Sequence, residues 1–343
     1  MKNLLRNCII VLAGLTFLTT SSYSKDKPIV LTFHHFLSSN ASPHTKIFEP
    51  WARNLEKLSN GRIKVEIFPA MSMGGKPNEL YKQARDGSSD IVFTIAGYSP
   101  GVFPRTEVFE LPTIHKNNSL KTAFAIKENF DLIKDDFKDV KPLLIAVAGN
   151  YFLDTVSKKV TNLSDMKGLK VRSPSRTGGW YIEELGAEPV GMPLPDVPQS
   201  FAKNAIDGAI LPMEIFPAFK FQQLTKYSIQ LHDGGGFGNS VAVILMNRDR
   251  FESLPKDLQD IVEKSAGDDL ITKYGQLMID LEKPGKQLQI ESGGEIITIS
   301  EDETKKFDLA GERVVQRWVK EMNEKSIDGQ IIVDAARKSI SEQ

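Results

Sequence analysis

The sequence is almost without cysteine. The only one, Cys8, stands near the start of a chain of 343 residues. A disulfide scaffold, a thiolate metal cluster and a cysteine nucleophile are therefore excluded for everything that follows it. Charge of one sign is equally scarce in excess: 43 Lys and Arg stand against 44 Asp and Glu, for a formal net charge of −1. No stripe of Lys and Arg with interleaved aromatics stands out, so the footprint of a nucleic-acid-binding protein is missing. The five histidines are scattered, and there is no G-x-S-x-G elbow, no P-loop and no H-E-x-x-H, so no nucleophile–base pair or metal site presents itself. The glycine-rich "DGGGFGNS" at 233–240 precedes a strand-like run instead of following one, and reads as a loop whose glycines supply positive φ.

Long hydrophobic runs are confined to the N-terminus. "MKNLLRN" supplies Lys2 and Arg6, "CIIVLAGLTFL" is apolar, and "TTSSYS" ends in small residues. This is the pattern of a secretory signal peptide, here residues 1–24 and cleaved after about Ser24. As a membrane anchor the apolar stretch falls short of the roughly 20 residues that span a bilayer. Cys8 lies too far from the cleavage point to be a lipobox cysteine. The expectation is an exported, soluble protein of the periplasm, in which losing Lys2 and Arg6 leaves 41 basic residues against 44 acidic. A hydrophobic content of 41% and a charged content of 25% are those of a globular chain, and the length suits two domains.

What is present is an alternation of strand and helix patterns. "PIVLTFHHF" reads as a strand, "TKIFEPWARNLEKLSNGR" as a helix with Ile47, Trp51, Leu55 and Leu58 on one face, and "IKVEIFP" as a strand of period two. A helix ending at Gly87 and the strand "IVFTIAG" follow, then an irregular stretch rich in proline and aromatics, a helix over 119–139 and a strand at 141–149. The rhythm restarts at Tyr151 with the strand "LDTVSKKV", helices in "TGGWYIEELG" and "VPQSFAKNAIDG", and the strand "AILP". Two such blocks predict two α/β domains with a boundary near residue 150. "SVAVILMN" at 240–247 is a strand that fits either sheet. The remainder reads as mostly helical, with a short β-type "EIITI" at 295–299.

Several residues invite a functional reading beside an ordinary one. Arg172, in "KGLKVRSPSRTGG", ends a β-type run where a helix begins; its planar fork suits a carboxylate, and a solvated surface charge is the alternative. Arg176, in the following turn, is a second anchor or a rim charge. His34 and His35 point to opposite faces of their strand, so at most one of them, taken as His34, faces a cleft, and the pair cannot easily share a metal. Glu214 in "PMEIFP" orients an arginine or meets a ligand hydroxyl, or is a surface glutamate. Tyr98, Phe152 and Trp180 lie near strand ends or helix starts, where aromatics serve a core as readily as a binding platform.

In order along the chain, "FPAMSMGG", "LYKQARDGSSDIVF", "FPRTEVFELP", "LSDMKGLKVRSPSRTGG", "LGAEPVGMP", "AIDGA" and "MNRDRFESLPKDLQDIVEKSAG" resemble the DctP-type substrate-binding proteins of TRAP (tripartite ATP-independent periplasmic) transporters over nearly the whole mature chain. The resemblance implies a type II-like periplasmic-binding-protein fold. Two α/β lobes, joined by crossing strands and a long helix, would close like a hinged clamp on a small organic acid for delivery to the membrane subunits of the transporter. It places lobe I at 25–149 plus about 238–275 and lobe II at 150–237 plus about 276–343. It also implies that Arg172 makes a bidentate salt bridge with the ligand carboxylate, without cofactor or catalysis. The competing readings are an exported hydrolase or lyase on an α/β scaffold, and C4-dicarboxylate binding within the same family. Two departures bear on the ligand. Where many relatives carry a further arginine, this chain has Asn150, Tyr151 and Phe152, and where many read "DG-x-E-N" it reads "DGAILPMEIFP". Sialic acid and simple C4-dicarboxylates lose support. A monocarboxylate with an apolar or aromatic body suits Phe152, Met213 and Phe237, with Glu214 at a polar substituent.

Overall fold

Each of the two blocks folds around its own mixed β-sheet. A computed structural model describes residues 27–343, so the signal sequence expected at 1–24 lies outside the described residues, Cys8 included. The first sheet contains β1 (Ile29–His35), β2 (Ile63–Phe68), β3 (Ile91–Ile95), β4 (Val140–Val147) and β10 (Val241–Asn247), in the order β2-β1-β3-β10-β4. The second contains β5 (Tyr151–Thr155), β6 (Lys170–Ser173), β7 (Glu188–Gly191), β8 (Gly208–Pro212), β9 (Tyr227–Gln230) and β11 (Glu295–Thr298), in the order β11-β9-β5-β8-β6-β7. This is the two-lobed, type II-like α/β architecture that the resemblance implies.

The apolar runs explain the strand positions. Every residue of "IVFTI" in β3 and "VAVILMN" in β10 is buried, because both faces of a central strand are covered. "SVAVILMN" therefore belongs to the first sheet, where β10 runs antiparallel between β3 and β4. The chain leaves that sheet through Ala148, Gly149 and Asn150, enters the second at Tyr151, and returns through residues 231–240. A third connection is the 24-residue helix Asp268–Glu291. A Cβ on its Gly275 would come within 2.7 Å of Leu120 Cα beside the first sheet, and one on Gly285 within 2.5 Å of the Met213 carbonyl oxygen beside the second. The helix thus lies against both units at positions where only glycine fits.

The structure differs from the sequence pattern at several places. The stretch 119–139 divides into Ser119–Glu128 and Phe130–Ile133, followed by a short 3-10 turn. The break falls at Asn129, whose side chain donates to Ala125 O and Ser339 Oγ, both at 2.8 Å. β5 starts at Tyr151 and ends at Thr155, where the hydroxyl turns to the Lys158 carbonyl. β9, only four residues long, escapes the sequence pattern. The terminal helix Gly329–Glu342 packs both on the helix Glu301–Glu324 and on Ser119–Glu128 beside the first sheet. Its buried stripe of Ile332, Val333, Ala336 and Ile340 is the reason.

Buried carboxyls tie loops to this frame. Glu110 Oε1 accepts the Val241 N–H at 2.8 Å, and Asp136 Oδ2 accepts the Thr106 N–H and hydroxyl, both at 2.8 Å. Burial raises Glu110 from 4.5 to about 8 and Asp136 from 3.8 to about 6. Between those limits the folded chain holds more protons than the unfolded one, so stability falls as pH rises through the window. Urea unfolding midpoints should accordingly decline from pH 5 to pH 8, and Glu110→Gln should flatten the decline. Midpoints that rise over this range would contradict the assignment.

Candidate functional site

The strand β6 carries the central residue. "KVRS" alternates faces, and at Ser173 the chain stops pairing because a helix, Arg176–Glu184, begins; Ser175 caps it by accepting the Gly178 N–H at 3.2 Å. Arg172 is thereby fixed at the end of a strand facing the gap between the two sheets, yet it is only 1% exposed. Its Nε–H donates to Met192 O and its Nη1–H to Ile210 O, both at 3.0 Å. Two of the five guanidinium donors hold the side chain in place on backbone carbonyls, and the guanidinium also lies against the Tyr98 phenol. Among the described residues no carboxylate lies within ion-pair distance of it.

Arg172 lines a narrow cavity of about 30 Å³ between the two units, room for little more than one water, so a ligand enters only as the units part. The first unit contributes Phe36, Phe93, Ile95 and Tyr98, the second Tyr151, Leu194, Glu214 and Ile215, and the long helix Asp268–Glu291 contributes Tyr274. The units meet over it. Leu194 N–H donates to Tyr98 Oη at 2.9 Å, and a Cβ on Gly97 would come within 2.5 Å of Ser175 Cβ. The walls are aromatic and aliphatic, with Arg172 as the cation. Burial raises the Tyr98 phenol while the neighbouring guanidinium draws it down. Burial likewise raises Tyr151 and Tyr274, with Glu214 adding to the shift in both. Glu214 itself is pushed up to about 8 by burial, offset in part by backbone amides at Glu214 and Gly149. Burial thus favours the neutral form of this cavity-lining carboxyl.

Of the residues singled out from the sequence, the cavity brings together Arg172, Tyr98 and Glu214. The others are placed elsewhere, each for a local reason. Strand alternation turns Phe152 to the face opposite Tyr151, where Lys286 Nζ lies 4.9 Å from its ring centre. Met213 is packed against Gly285 of the long helix, and Phe237 stands edge-on to Phe307 at 5.6 Å. Asn150 Nδ2 donates to Gly234 O at 2.8 Å, tying the outgoing crossing to the returning one. His34 pairs with Gln83 Oε1 at 2.7 Å, and its neighbour His35 pairs with His44 Nδ1 at 2.9 Å on the other face.

Arg176 is consumed by acids. Its Nε reaches Glu107 Oε1 at 2.7 Å and its Nη1 reaches both oxygens of Glu321, at 2.8 and 2.7 Å, with Trp180 beneath the guanidinium at 4.7 Å. Tyr151 and Tyr274 are the polar cavity residues the sequence reading missed. Tyr151 was within reach, since it is the alternate neighbour of Phe152. Nothing in the sequence marks Tyr274 apart from other helical aromatics.

Comparison with known proteins follows the same lines. The family model described as bacterial extracellular solute-binding protein, family 7, DctP, matches residues 33–322. A marine metagenome TRAP solute-binding protein specific for aromatic acid ligands, solved with 3-hydroxybenzoate, is 37% identical with a TM-score of 0.89, over 92% of this chain and 98% of that one. A TRAP solute-binding protein from Rhodoferax ferrireducens T118, solved with copurified benzoate, is 35% identical with a TM-score of 0.88, over the same shares. The 2,3-diketo-L-gulonate-binding periplasmic protein YiaO of Escherichia coli K12 is 25% identical over 329 residues, 91% of this chain and 93% of that protein. The chain belongs to the DctP family of bacterial extracellular solute-binding proteins.

Proposed function

We propose that this protein is the periplasmic receptor of a TRAP transporter, that its solute is a small monocarboxylate with an aromatic body, and that it carries the solute to the membrane subunits. The observation that carries the reading is Arg172, buried at the cavity wall with no carboxylate beside it among the described residues. A buried cation without a carboxylate beside it is costly, and a ligand carboxylate that meets the fork bidentately removes that cost with a geometry few other anions match. Phe36, Phe93 and Ile95 offer the ligand's body an apolar surface. The relatives at 35% and 37% identity, whose bound molecules are benzoate and 3-hydroxybenzoate, support the aromatic class.

Hinge closure follows from where the contacts lie. The carboxylate is met by a strand of the second unit and the body by side chains of the first, so the ligand touches both only when they approach. A ligand shifts a conformational equilibrium by its differential affinity for the two states. Arg172 and the aromatic wall supply that difference, and the Leu194–Tyr98 hydrogen bond forms across the same gap.

Two outcomes test this reading. In a thermal-shift screen, benzoate and 3-hydroxybenzoate should raise the melting temperature by several degrees at about 100 times their Kd, and succinate should not. Truncating one partner of a buried charge pair costs about 2–5 kcal/mol, so Arg172→Ala should weaken benzoate binding by roughly 30-fold or more, and Arg172→Lys should restore it only in part. Unchanged calorimetric affinity in a folded Arg172→Ala protein would refute the assignment of the anchor. Tyr98→Phe removes the acceptor for Leu194 N–H and should weaken binding roughly 3–10-fold, with the loss in the dissociation rate.

A further inference from the structure

The cavity is lined by one group that attracts a negative charge, Arg172, and by one whose surroundings disfavour it. The second is Glu214, the one carboxyl among the lining residues, buried and 8% exposed. Its surroundings are crowded and carry no positive charge of their own. A Cβ on Gly149 would come within 3.1 Å of Glu214 Oε2. The titratable groups that face it are the Tyr151 phenol from β5 and, from the long helix Asp268–Glu291, the Tyr274 phenol and the Glu282 carboxylate. Lys286, on the same helix, is engaged by Glu282 at 2.6 Å. The shift of Glu214 to about 8 reports the same environment: an anion there is disfavoured by burial and by Glu282.

We infer that Glu214 is the specificity-determining residue of the site: its carboxyl hydrogen-bonds a hydroxyl on the body of the ligand, so the solute is a hydroxylated aromatic monocarboxylate and a second carboxylate is refused. The inference rests on the reading that Arg172 anchors the first carboxylate. A carboxylic acid both donates and accepts, which matches a hydroxyl in either sense. An unsubstituted ring would leave the hydrogen-bonding capacity of the Glu214 carboxyl that the Glu214 and Gly149 amides do not use facing hydrocarbon, at a desolvation cost. A second carboxylate would meet the desolvation that holds the proton on Glu214, with no cation to offset it.

The test is calorimetric titration at pH 7 of the full mature protein with benzoate, 3-hydroxybenzoate and isophthalate. The wild type should bind 3-hydroxybenzoate roughly 3–10-fold tighter than benzoate, the range of one net hydrogen bond, and isophthalate more weakly than either. Glu214→Gln, which keeps a donor and an acceptor, should preserve the preference for the hydroxyl. Glu214→Leu should abolish it, bringing the affinities for benzoate and 3-hydroxybenzoate to within about twofold of each other. Isophthalate binding as tightly as 3-hydroxybenzoate, loss of the preference in a folded Glu214→Gln protein, or equal weakening of both monocarboxylates in Glu214→Leu would each overturn the inference. Tight benzoate binding without any premium for the hydroxyl would overturn it and leave the Arg172 anchor standing. Failure of all three acids to bind would overturn both.

Discussion

A guanidinium buried without a carboxylate is the constraint around which the site is arranged. Arg172 sits where a strand gives way to a helix, clamped by the Met192 and Ile210 carbonyls, in the wall of an apolar cavity. Backbone carbonyls orient a guanidinium but do not neutralise it, and the surrounding aromatics do not either. The closest thing to a second candidate, Arg176, shows the contrast: it carries two glutamates and an indole, and has no free capacity for a ligand. Two arginines four residues apart therefore differ entirely in what they can do. The difference lies in which acids the rest of the fold brings to them.

The topology makes the cavity possible. Because β10 returns to the first sheet after the chain has built most of the second, and the helix Asp268–Glu291 then lies against both units, three connections pass behind one gap. The gap collects side chains from separate stretches: Phe36 and Tyr98 from the first block, Arg172 and Glu214 from the second, Tyr274 from the helix. Glycines set how closely these parts approach. Gly97 against Ser175, Gly275 against Leu120 and Gly285 against Met213 leave no space for a Cβ. A receptor that closes by hinge motion needs such contacts, because a methyl group at the mouth or along the helix would hold the units apart.

Electrostatics distinguishes the polar groups of the cavity. At Arg172 a negative charge is stabilised, and the Tyr98 phenol feels the same cation. At Glu214 burial disfavours a negative charge even on the protein's own carboxyl. A site polarised in this way distinguishes ligands by the number and position of their charges more than by their volume. This follows from low dielectric: with water excluded, an unmatched charge has nothing nearby to screen it.

Much of this was legible in the chain itself. The alternating strand and helix patterns determined two α/β units, the apolar runs "IVFTI" and "VAVILMN" determined central strands, and the run "KGLKVRSPSRTGG" determined that an arginine stands where a strand ends and a capped helix starts. These are local properties, set by periodicity of two or 3.6 residues and by capping chemistry over a few positions. Tertiary structure alone decided which face of each strand meets the opposite unit, and so that Tyr151 and not Phe152 reaches the cavity. It also decided that Tyr274, more than a hundred residues from Arg172, shares its pocket, that Met213 and Phe237 pack elsewhere, and that Glu107 and Glu321 occupy Arg176. Alternation fixes that neighbouring side chains oppose each other; only the packing of distant segments fixes which of them is met by a partner, by another charge or by empty space.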